Sequence, residues 1–116
     1  MKFLAIFRTK ETGNPPTPEM MARMGKLIED EMRTGVLLAT EGCLPSSLGA
    51  RVRQANGAIS VTDGPFTESK ELVGGFAILR VASKVEAIEA TRRFLAVAGD
   101  GETELRQIYE PPGDAR

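Results

Sequence analysis

The sequence predicts an α+β domain in which an antiparallel sheet carries two helices on one face. Three observations predict it. Residues 3–7 and 75–81 are apolar on both alternating sides, as strands buried on both faces are. Two other stretches repeat apolar residues three and four apart behind a Ser or Thr cap. Asn56-Gly57 joins two alternating segments, the strongest short-range hairpin signal. In chain order the elements run strand, helix, strand, hairpin, strand, helix, strand, a split β-α-β arrangement with an added hairpin. Right-handed crossovers place both helices on the same side of the sheet.

Each element has a local cause. Lys2 and Arg8 bracket the first strand, and residues 9–18 hold Gly13, Pro15, Pro16 and Pro18 with almost no hydrophobe, so a loop follows. Thr17 caps a helix whose first residue is Pro18. Met20, Met21, Met24, Leu27, Ile28 and Met32 form its apolar stripe, and Gly35 ends it. A short strand starts at Val36 and stops near Gly42, before the turn at Leu44-Pro45. Residues 51–54 and 58–61 are the hairpin arms, and Gly64-Pro65 stops the second. Ser83 and Glu86 form a capping box for the second helix, which Gly99 terminates. Residues 103–110 alternate weakly and predict a last, half-buried central strand before Pro111-Pro112. The sheet face that the helices leave open is apolar in two strands, so a second copy is expected to cover it, making a dimeric α/β barrel.

Composition narrows the function. A chain of 116 residues holds one core, here a single domain over 1–112 with a frayed tail at 113–116. Fifteen Lys+Arg are interleaved with sixteen Asp+Glu for a net charge of −1, which offers no coating surface for nucleic acid or anionic lipid. With no histidine and only Cys43, the sequence lacks Ser-His-Asp and Cys-His dyads, an internal disulfide and ordinary zinc or copper ligands. The expectation is a cytoplasmic protein with no metal, no cofactor and no membrane span. Gly74-Gly75 precede a strand and not a helix, so they are no phosphate cradle.

The most unusual stretch is residues 63–75, with Asp63-Gly64-Pro65-Phe66, then Glu68, Lys70-Glu71 and Gly74-Gly75 leading into an apolar strand. This pattern resembles the signature of the YCII-related family, the DGPF domain. Leu44-Pro45, Val52-Arg53 and Glu104-Leu105-Arg106 extend the resemblance over essentially the whole chain. It implies a dimeric ferredoxin-like barrel, and makes the DGPF segment a wall of the family's pocket, with Phe66, Glu68, Lys70 and Glu71 as substrate contacts. It also implies kinship with small barrel enzymes of aromatic and lactone breakdown, some with a proposed His-Asp pair, and with modules linked to sigma factors.

The residues leave two functions open. Asp63 before Gly64-Pro65 is either a turn former that accepts backbone N–H groups or a general base. Lys70 is expected to meet a carboxylate, and with Glu68 and Glu71 to form either a solvated cluster or a network tying the loop to the sheet. Phe66 reads as the loop's apolar anchor, and Arg53 and Arg106 as strand arginines that snorkel or hold an anion. The four helix methionines read first as core and second as an adaptable ligand wall. One reading is a homodimeric module that binds a small organic ligand or a sigma-factor-related partner. The alternative is a small barrel enzyme, isomerase- or lyase-like, moving a proton on an organic acid or lactone with Asp63 as acid/base. The lack of histidine favours the module, because a base titrating near neutrality is hard to supply from Asp or Lys.

Overall fold

The structure, a computed structural model, describes residues 1–113. Of the expected frayed tail only Gly113 is described; residues 114–116 lie outside the described part. The elements are β1 (Lys2–Thr9), α1 (Pro18–Thr34), β2 (Leu37–Gly42), β3 (Ala50–Ala55), β4 (Ala58–Asp63), β5 (Leu72–Arg80), α2 (Lys84–Ala98) and β6 (Glu102–Gln107), with a short 3-10 turn at Ser46–Leu48. The fold is α+β, with two helices and an antiparallel four-stranded sheet in the order β2-β5-β1-β6. β3 and β4 form a separate two-stranded hairpin. The sheet is open, and the described residues close no barrel.

Backbone chemistry sets the boundaries. The Thr17 hydroxyl accepts the Met20 N–H at 3.1 Å, and Gly35 takes φ 85°, so α1 is capped at both ends as the sequence predicts. Asn56 and Gly57 have φ of 51° and 78°, the pair of positive values that a primed hairpin turn requires. Ser83 caps α2 by accepting the Glu86 N–H at 3.2 Å. The Glu86 carboxylate accepts from Ala82 at 2.8 Å, one residue before the cap where a capping box would place it. β6 is an edge strand, not the central one expected. Only β1 and β5 are apolar on both sides, and they take the middle, while Glu102, Glu104 and Arg106 suit an edge.

Strand register sorts the side chains onto two faces. Phe3 lies opposite Leu79 and Ala5 opposite Ala77, on the face under the helices; Leu4 lies opposite Ile78 and Ile6 opposite Phe76, on the open face. The buried core is Phe3, Leu37, Leu79, Val81, Ala87 and Ala90. It joins the start of β1, the start of β2, the end of β5 and the first half of α2, which is one end of the sheet. No residue of α1 is buried.

One arginine positions the motif loop between β4 and β5. The Arg51 guanidinium stacks 3.9 Å from the centroid of the Phe66 ring, bonds the Glu68 carboxylate, and donates to the Ser69 hydroxyl at 3.1 Å. The Ser69 N–H closes the loop onto the Phe66 carbonyl at 3.1 Å. Gly64 packs so tightly on the Ser46 and Gly49 backbone that a Cβ there would overlap the Ser46 carbonyl. Its N–H reaches the Gly49 carbonyl at 2.9 Å. Arg51→Ala should cost about 0.5–1 kcal/mol, the worth of an exposed cation–π contact, and should speed amide exchange at Ser69. Arg53→Ala should change neither. Equal exchange at Ser69 in both variants, followed by NMR, would show that the clamp does not hold the loop.

Candidate functional site

The structure scatters the expected site residues over three places. Asp63 ends β4, opposite Ala50, and is exposed. Among the described residues no backbone N–H donates to its carboxylate and no carboxylate meets Lys70, so neither holds the loop as expected; Arg51 does. Arg53 is exposed, paired with Ser60 farther toward the hairpin tip than Arg51. Alternation puts both arginines on one face of β3, and only distance from the hairpin base decides which of them reaches the loop.

Phe66 and Glu71 come together with Arg8, Arg51, Ser46 and Val73 around a shallow depression of about 240 Å³. Its cations are engaged. Arg8 bonds Glu104 at 3.1 Å and Arg51 bonds Glu68, so neither guanidinium is left to an anion. The Glu68 carboxyl is held below its usual range by its own backbone N–H first and by Arg51 second. Arg106 lies on the open sheet face, opposite Leu4, and bonds Glu104 at 3.2 Å. The Glu104 carboxyl is held down first by Arg106 and then by Arg8. Among the described residues no three acidic or cysteine side chains converge as metal ligands.

The large concavity lies elsewhere, between the sheet and the two helices. It has a volume of about 680 Å³, enough for a small organic molecule. It adjoins the buried core, sharing Leu37, Leu79 and Ala90 with it, and extends from there along the helix–sheet interface. Its floor is Phe7, Gly74, Gly75 and Ala77, its roof Met20, Met24, Leu27 and Ile28 of α1, and its side wall Phe94 and Ala98 of α2. The Phe7 and Phe94 rings meet edge to face at 5.0 Å. At Gly74 a Cβ would come into ordinary contact with the Phe7 ring at 3.4 Å, and its absence leaves that much of the floor free. Gly25 of α1 also lines the space, and a Cβ there would meet nothing within 4 Å. A glycine in a helix interior costs about 1 kcal/mol relative to alanine, and here it leaves volume in the roof.

Of the motif only Gly74 and Gly75 touch this cavity; Asp63 and Lys70 line neither concavity. Sequence reasoning reached the methionines as a possible ligand wall and missed Phe7, Phe94 and Thr103. The one advance signal was Gly25, a helix breaker on an otherwise strong helical stripe.

The family model of the YCII-related domain matches residues 1–111 of the 116. No curated protein matches the chain. With the match spanning nearly its full length, the chain belongs to the YCII-related domain family.

Proposed function

We propose that this protein is a homodimeric module that binds a small organic ligand in the cavity beneath α1. The observation that carries the reading is that cavity itself, about 680 Å³ of space kept open by Gly25, Gly74 and the stand-off of α1. The regulatory setting, with a sigma-factor-related protein as partner, rests on the family resemblance alone, and a cytoplasmic location on the lone Cys43. Among the described residues no helix is long and apolar enough to cross a membrane. The rival enzyme would use Asp63 as acid or base on an organic acid or lactone. It has less support, because Asp63 is exposed and stands outside the cavity.

The ferredoxin-like reading is supported by the strand order β2-β5-β1-β6, with a helix between β1 and β2 and another between β5 and β6. The dimeric barrel is supported by the open face. Leu4, Ile6, Phe76 and Ile78 share that side with no helix over them, and Phe76 is 37% exposed. The hairpin adds a second apolar face, where Val52, Ile59 and Val61 are 63–70% exposed. Two open faces packed together would remove both from water.

Three outcomes are expected. Butylbenzene, an uncharged apolar probe, should raise thermal stability by about 1.4 kcal/mol at ten times its Kd, and Gly25→Leu should raise stability while abolishing that response. No shift in the wild-type protein would remove the ligand-binding reading. In light scattering the protein should run at twice its 12.5 kDa, and Ile78→Glu should run as a monomer with an unchanged circular dichroism spectrum. A soluble wild-type monomer would contradict the barrel. The third concerns pH. The depressed pKa of Glu104 contributes stability that is complete above its ordinary value and is lost as pH falls through the lowered one. Unfolding should therefore become easier as pH falls through that lowered value, where Arg8 and Arg106 lose their shared carboxylate. Glu104→Gln should lower stability at neutral pH and flatten that acid limb in thermal denaturation.

A further inference from the structure

The polar atoms of the cavity differ in what they have left to offer. Four threonines line it. The Thr9 hydroxyl donates to the Asp100 carbonyl at 3.0 Å, Thr40 to Phe76 at 2.9 Å and Thr91 to Ala87 at 2.8 Å. Thr103 is the exception: its Oγ1 is buried and has no hydrogen-bond partner among the described residues. It sits in β6 directly opposite Phe7, beside the aromatic corner that Phe7 makes with Phe94. A buried hydroxyl without a partner is costly in a fold, and three neighbours of the same type have avoided that cost. The residue lines the space, and a change of χ1 between staggered rotamers, restricted as it is for a β-branched side chain, is the movement that would present the hydroxyl to a ligand there.

Charge narrows the occupant further. Among the described residues no Lys or Arg lines the cavity and Glu31 and Glu41 are its only charged residues, and Glu31 is already bonded by Arg93 at 2.9 Å. A carboxylate or phosphate would find no counterion there and would face two acids. The remaining wall is methionine, phenylalanine, small aliphatic side chains and glycine, which favours an apolar body of adaptable shape.

We propose that the cavity takes an uncharged, largely apolar molecule bearing one hydrogen-bond acceptor, a ketone or ester carbonyl, and that the Thr103 hydroxyl donates to that carbonyl. The proposal rests on the ligand-binding reading above and adds the chemical class and the residue that reads it. The carbonyl lies near the Phe7–Phe94 corner, and the apolar body runs beneath Met20 and Met24 toward the exposed Met21. Thr103 is a specificity residue; it takes part in no bond breaking.

Four phenyl probes of matched length test this in calorimetric titrations of the full chain: 4-phenyl-2-butanone, butylbenzene, 4-phenylbutanoate and 4-phenylbutylamine. The ketone should bind about five- to ten-fold tighter than the hydrocarbon, and the acid and the amine more weakly than either. Thr103→Val should reduce the ketone to the affinity of butylbenzene or below it, since its carbonyl is then buried unpaired, while leaving butylbenzene itself unchanged, which also shows that the variant keeps its cavity. Thr103→Ser should retain the preference. Equal binding of ketone and hydrocarbon in the wild type, a ketone preference that survives in Thr103→Val, or tightest binding of the acid or amine would overturn this proposal and leave the binding site standing. Binding of none of the four would overturn both.

Discussion

The structure depends on how few side chains this chain can bury. Phe3, Leu37, Leu79 and Val81 of the sheet layer close on Ala87 and Ala90 of α2, and that cluster fixes one end of the helix–sheet interface. The alanines let α2 come close to the sheet, where a larger side chain would hold it off. α1 is held more loosely: none of its residues is buried, and of its inward stripe of Met20, Met24, Leu27 and Ile28 only the half-buried Ile28 packs against that cluster. A helix that buries none of its own side chains leaves a space beneath it, and that space is the cavity. Core and candidate site adjoin in one interface and share Leu37, Leu79 and Ala90.

The same scarcity explains the other face. Two helices cover one side of four strands, and nothing in the described chain covers Leu4, Ile6, Phe76 and Ile78. The charged edge strand β6, with Glu104 shared between Arg8 and Arg106, borders this strip and limits how a second sheet can align on it. In the proposed reading, dimerisation and ligand binding use opposite faces of the same sheet.

Much of the fold was legible in the sequence because its signals are local. Thr17, Gly35 and Asn56-Gly57 act within a few residues, and each does in the structure what its chemistry dictates. The position of β6 was not legible, since weak alternation does not distinguish an edge from a centre. The Arg51 clamp was missed in favour of Arg53 because periodicity gives the face of a residue and not its distance from a loop. The cavity was hidden for a related reason. A stripe of methionines has the same spacing whether it packs on a sheet or stands above a void, and stand-off is set by residues distant in sequence, such as Ala87 and Ala90. Thr103 gave no signal at all: a threonine in an edge strand is ordinary until its neighbours' hydroxyls prove to be taken.

A ligand chamber beneath α1, unlike a packing defect, must admit its ligand. Methyl NMR of the protein labelled at its five methionines reads this most directly, because Met20, Met21 and Met24 line the space while Met1 and Met32 do not. On addition of 4-phenyl-2-butanone the account predicts saturable shifts at Met20 and Met24, with Met1 and Met32 unmoved. Unchanged spectra at all five, or shifts confined to Met1 and Met32, would contradict it.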